Sequence, residues 1–156
     1  MLTLILPDEI SSLIIEALLK SGSREVGGIL MAEHTGVNEF TIRDITVQKR
    51  GAFASFFRKI EDALGRLNNF FDKAYHDYSR FNYLGEWHSH PSFEPIPSPK
   101  DDQSMFQIVQ DVSVGANFAV LLIVKLNATS TMIGTAHTYF PDGNKARALT
   151  PTIRST

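Results

Sequence analysis

The chain has 156 residues, 43% hydrophobic and 21% charged, with no cysteine and a formal net charge of −2. These proportions suit a folded globular chain and exclude collagen-like and disordered classes, while the slight negative charge argues against non-specific binding to nucleic acid or an anionic membrane. Without cysteine there is no disulfide, thiolate ligand or thiol nucleophile.

The length fits a single domain over residues 1–156. No basic residue precedes the apolar run in Met1–Ile10, and no small-residue cleavage site follows it, so a secretory signal is not expected. The longest apolar stretch, Phe118 to Val124, is about a third of the ~20 residues that span a bilayer and reads as a buried strand. The expectation is a soluble, cytoplasmic protein with no membrane partner.

In chain order, Leu2 to Leu6 suggests a short first strand. Pro7 can open a helix, with Asp8 and Glu9 in a first turn where acidic groups complement the helix dipole. Ile10, Leu13, Ile14, Ala17 and Leu18 recur at helical spacing until Ser21-Gly22-Ser23 stops the run. Val26 to Met31 reads as a strand, paired across a turn near Thr35-Gly36 with Glu39 to Val47. From about Ala54 to Ser79, Phe56, Ile60, Ala63, Leu64, Leu67, Phe70, Phe71 and Ala74 recur at steps of three and four, the pattern of a long amphipathic helix. Phe81 to His90 follows as a central strand. Four prolines between Pro91 and Pro99 forbid regular structure. Asp101 to Val112 reads as a helix, Asn117 to Leu126 and Thr131 to Tyr139 as strands, and the last dozen residues as loosely held. Helices and strands mix without strict βαβ alternation. The fold class is therefore α/β, a mixed sheet flanked by helices.

Chemistry concentrates in Gly85-Glu86-Trp87-His88-Ser89-His90-Pro91, continuing to Ser98-Pro99-Lys100-Asp101. On a strand, residues two apart face the same side, so His88 and His90 point into one site. Two imidazoles and one carboxylate are a donor set that hydrolytic zinc sites use, with a fourth position for water. Asp101, at the start of a helix, is favoured in its ionised form. Glu86 shares the face of the two histidines and is open to three roles: fourth ligand, base or, as favoured here, a group that orients a ligand from behind. Asp102 reads as a solvated first-turn residue. His34, His76 and His137 read as surface or satisfied structural residues, and Trp87 alternates into the core.

A lone His-x-His is weak evidence, but the longer run His-x-His-Pro-x₆-Ser-x₂-Asp is specific. It resembles the motif of the JAMM (MPN-plus) zinc metalloproteases, bacterial single-domain members included. The family's upstream glutamate corresponds to Glu25 in Arg24-Glu25-Val26-Gly27-Gly28. The resemblance runs from Glu25 to about Tyr139 and departs at no motif position. It implies a sheet like that of cytidine deaminases and one Zn2+ held by His88, His90 and Asp101. It also implies Glu25 as general base and Ser98 as donor to the oxyanion. The implied activity is hydrolysis after the C-terminus of a ubiquitin-like protein, with E1-like and E2-like enzymes as possible pathway partners in conjugation or antiphage operons. Other classes compatible with the motif are a peptidase acting on a sulfur-carrier protein, a non-catalytic scaffold of the same fold, and a DNA-repair-associated protein of the RadC type.

Overall fold

The computed structural model describes residues 2–49 and 60–147. In chain order these form β1 (Thr3–Ile5), α1 (Asp8–Ser21), β2 (Val26–Gly36), β3 (Glu39–Ile45), β4 (Gln48–Lys49), α2 (Leu64–Lys73), β5 (Phe81–Ser89), α3 (Pro99–Gln110), β6 (Ala119–Leu126), β7 (Met132–Tyr139) and β8 (Lys145–Arg147). The described strands form one mixed sheet in the order β1-β3-β2-β5-β6-β7-β8, with the short β4 also paired to β2. β1 runs parallel to β3 and β5 parallel to β6, and the other pairs are antiparallel.

Both parallel pairs require crossovers, and those crossovers carry helices. α1 starts at Pro7, with Asp8 and Glu9 in its first turn, and ends at Gly22, where a φ of 57° lets the amide donate back to the Leu18 carbonyl. Its apolar stripe, Ile10, Ile14, Ala17 and Leu18, packs on one sheet face against Leu30, Ile42, Trp87, Val120 and Leu122. On the opposite face, α3 covers Leu121 and Ile123 with Met105, Ile108 and Val109, while Ala63, Leu67 and Phe70 cover Ile29 and Met31. The architecture is thus a sheet sandwiched between α1 and the pair α2 and α3. β6 is buried on both faces, which explains its uninterrupted apolar run. No helix of the described residues is long and apolar enough to cross a membrane.

β5 contains an extra residue. Leu30 pairs with Gly85 but Met31 pairs with Tyr83, so Leu84 is the insertion of a β-bulge. Leu84 joins the α1 side with Trp87, while Phe81 and Tyr83 pack on the α2 side. The bulge therefore moves the α2-side positions from odd numbers before it to even numbers after it. Glu86 and His88 follow on that side, paired across to Ile29 and Gly27.

Several expectations shift. The helix expected from Ala54 to Ser79 ends, within the described residues, at Lys73. Tyr75 and His76 take φ values of 53° and 56°, and their amides donate back to Asp72 and Phe71, closing the helix. The part of that expectation on residues 54–59, Phe56 included, lies outside the described residues. The third helix begins at Pro99, two residues earlier than expected, because Ser98 caps it. Residues 145–147 pair with β7 as an edge strand, whereas the rest of the tail lies outside the described residues.

Candidate metal centre

His88 sits in β5, and His90 follows it with its amide still bonded to the Val124 carbonyl, so the β6 ladder holds both backbones. Both side chains are buried, as is Asp101 in the first turn of α3. The nitrogen Nε2 of His88 lies 3.2 Å from Nε2 of His90. Asp101 Oδ2 lies 3.4 Å from the first and 3.3 Å from the second. Three donor atoms thus form a nearly equilateral triangle.

Two of the vertices are fixed from behind. Nδ1 of His90 is 2.9 Å from the Glu94 carbonyl. A carbonyl only accepts, so in the neutral ring Nδ1 carries the proton and Nε2 presents its lone pair to the triangle. Asp101 and Ser98 form a reciprocal capping box: the Ser98 amide donates to Asp101 Oδ2 at 2.9 Å, and the Asp101 amide donates to Ser98 Oγ at 3.1 Å. Burial alone would raise the pKa of Asp101. The hydrogen bond and charge of His88, together with both Ser98 contacts, outweigh it and hold the carboxylate well below its usual range.

The triangle fits a small cation. Ligands at about 2.0–2.1 Å from a tetrahedral centre stand roughly 3.3–3.4 Å apart. The three observed edges match that spacing, and two imidazoles, neutral when they ligate, with one ionised carboxylate supply the charge such an ion needs. His88, His90 and Asp101 are a group able to hold a metal ion among the described residues.

Glu25 is half-buried and lies immediately before β2. Gly27 pairs with His88, and the Val26 amide donates to Ser89 Oγ at 3.0 Å. Glu25 thus stands two residues before the position paired with His88. Gly27 leaves no room for a side chain: a Cβ there would stand 2.3 Å from the Trp87 carbonyl oxygen and 2.8 Å from His88 Cβ. Trp87 points into the core as expected, fully buried, with Nε1 donating to the Thr46 carbonyl at 2.9 Å.

Glu86 is buried on the site's face and is not one of the three converging donors. The group that orients His90 is the Glu94 carbonyl. One reading of the sequence changes. Asp102 is no solvated bystander: Tyr139 donates its hydroxyl to Oδ1 at 2.6 Å, and Lys145 Nζ lies 2.9 Å from Oδ2. Burial, and then Asp102, raise the pKa of Tyr139 and keep its hydroxyl a donor.

Sequence reasoning also missed Thr135. Its hydroxyl donates to the Pro95 carbonyl, and His137 Nε2 lies 3.1 Å from the same oxygen. Since the Thr135 proton is committed to Pro95, His137 donates. Burial, with Lys145 and Arg147 nearby, lowers the pKa of His137 and favours that neutral form. His34 and His76 are exposed, the first stacked on Phe40 and the second paired with Asp72. The available signal for Thr135 and Tyr139 was polar groups recurring at 135, 137 and 139 along a strand otherwise fit for burial.

Comparison with known proteins adds the following. Residues 7–138 match the family profile described as prokaryotic homologs of the JAB domain. A protein from Desulfitobacterium hafniense, solved in solution, superposes with a TM-score of 0.70 at 14% identity, over 99% of this chain and 94% of that one. A JAB1/MPN domain protein from Archaeoglobus fulgidus aligns with a TM-score of 0.46 at 12% identity, over 94% of this chain and 95% of the other. No curated protein matches.

Proposed function

We propose, for a chain that belongs to the family of prokaryotic homologs of the JAB domain, that it is a zinc-dependent peptidase or isopeptidase. The proposed substrate is a ubiquitin-like protein or its conjugate, cut after the C-terminus, in a bacterial conjugation or antiphage pathway with E1-like and E2-like enzymes. The observation that carries the reading is the buried donor triangle of His88, His90 and Asp101, with edges of 3.2, 3.4 and 3.3 Å.

Bound zinc supplies Lewis acidity, polarising a carbonyl and making water nucleophilic near neutral pH. The remaining work falls to the chain. Glu25, two residues before the position paired with His88, accepts the proton of the attacking water and returns it to the leaving amine. Ser98 uses its oxygen lone pair to accept from the Asp101 amide, which leaves its O–H directed elsewhere as a donor to the developing oxyanion. The Glu94 carbonyl fixes the tautomer of His90, and the capping box fixes the carboxylate of Asp101.

The test is metal analysis of the purified chain, followed by incubation with ubiquitin-like fusions with and without a chelator. About one zinc per chain and chelator-sensitive cleavage are expected. A folded chain that takes up no zinc would refute the site, and one that binds zinc and the fusion without cutting it would be a scaffold.

A further inference from the structure

The contacts of β7 have no place in the reading above, and they converge on the segments that carry the donors. Thr135, His137 and Tyr139 alternate along β7. Thr135 and His137 pair with Ile123 and Leu121, and Tyr139 with Ala119. Those β6 residues all pack on the α3 side, so the three polar groups share the site's face. All three are buried. Two of them reach across to segments that adjoin the donors. Thr135 donates to the Pro95 carbonyl, one residue past the Glu94 carbonyl that orients His90. Tyr139 donates to Asp102, one residue past Asp101. Lys145 on β8 grips the other oxygen of Asp102.

We infer that β7 is a bracing strand for the metal centre, with Thr135 and Tyr139 as positioning residues for His90 and Asp101 respectively. The inference rests on the metal reading of the site and deepens it. Neither hydroxyl touches a donor atom. Each fixes the backbone next to one, so its loss lets that vertex drift while the fold, held by the β6–β7 ladder and the apolar core, persists. A proline-rich loop has few amides with which to anchor itself, and a carbonyl pinned by a buried hydroxyl replaces that missing anchorage. Groups that orient ligands from behind typically change metal affinity by roughly 10–100-fold when removed.

The experiment measures the zinc dissociation constant of the full chain by competition with a chromogenic chelator, alongside thermal unfolding of the zinc-free protein. Thr135→Val and Tyr139→Phe, which delete only the hydrogen-bonding hydroxyls, are expected to weaken zinc by about 10-fold or more. Thr135→Ser, which keeps the hydroxyl, should stay within about twofold of the parent. If the parent binds zinc and both deletions bind it equally well, the bracing role is overturned while the metal site stands. If Thr135→Ser is as damaging as Thr135→Val, packing rather than the hydroxyl is responsible, and the role is likewise overturned. If the parent itself binds no zinc, the reading of the site fails first. Should Thr135→Val not fold, the Tyr139→Phe and Thr135→Ser measurements decide.

Discussion

Ser98 carries one observed duty and one proposed duty on a single oxygen, and they can be separated. Its Oγ caps α3 by accepting from the Asp101 amide, so Ser98→Ala is expected to cost about 1 kcal/mol of stability. If the O–H also serves the oxyanion, kcat falls by roughly 10²–10³. Unfolding and turnover measured on the same preparation distinguish the two: a lower Tm with unchanged kcat would leave Ser98 a cap and nothing more. Glu25→Gln is expected to leave zinc content at the parental level and to reduce turnover by about 10²–10⁴. Parental turnover in that variant would remove Glu25 from the proton path. At this scale the sequence was informative about the donors and silent about their supports. His88 and His90 follow from strand alternation. The choice of Asp101 over Asp102 came from the motif alone, because the partners that occupy Asp102, Tyr139 and Lys145, lie 37 and 43 residues away. Glu94 could not have been singled out at all, since it acts through its carbonyl, which every residue possesses.

Elements set where those residues can stand. β2 approaches β5 so closely at Gly27 that Gly27→Ala forces backbone or His88 to move. The expected result is a loss of about 1–3 kcal/mol together with weaker zinc binding, read by unfolding and chelator competition. Unchanged values for both would mean the strands part without disturbing His88. Periodicity located α1, α2 and α3 because each has one apolar stripe against the sheet, and β6 stood out as an unbroken apolar run because both its faces are buried. It placed the end of α2 wrongly because Tyr75 and His76, not glycine or asparagine, take the left-handed turn that closes it. β4 and β8 escaped notice for a different reason. With two and three residues, they are too short for alternation to register, and their pairing is dictated by neighbours distant in sequence.

For the molecule as a whole, charge is arranged away from the metal centre as well as within it. Glu33, buried in β2, accepts from Arg43 Nε at 2.9 Å and Arg80 Nε at 2.7 Å, joining β3 and the start of β5 to β2. Burial would raise its pKa, but the hydrogen bonds and charges of Arg80 and Arg43 prevail and leave it below its ordinary 4.5. A folded-state pKa below the unfolded one contributes stability above the unfolded value, and that contribution is lost as pH falls through the folded value. The arginine side chains are 41% and 59% exposed, so solvent screening limits the contribution to about 1 kcal/mol. Glu33→Gln is expected to lower Tm at pH 7 by roughly 2–4 °C, with the gap closing as pH falls through the folded-state value, which lies below 4.5. A gap that does not narrow as the pH is lowered would show that the triad's charge is not its source.

The bulge at Leu84 has the widest reach of any single residue here. Strand pairing downstream of it is fixed by β6, so a β5 that kept Leu84 but lost the bulge would set its downstream and upstream halves in conflict: either the aromatic anchors before it or the imidazoles after it must turn over. If the upstream half prevailed, Trp87 would be thrust into the cleft and His88 sealed in oil against α1. One kink in a strand thus decides which side of a sheet is chemistry and which is ballast.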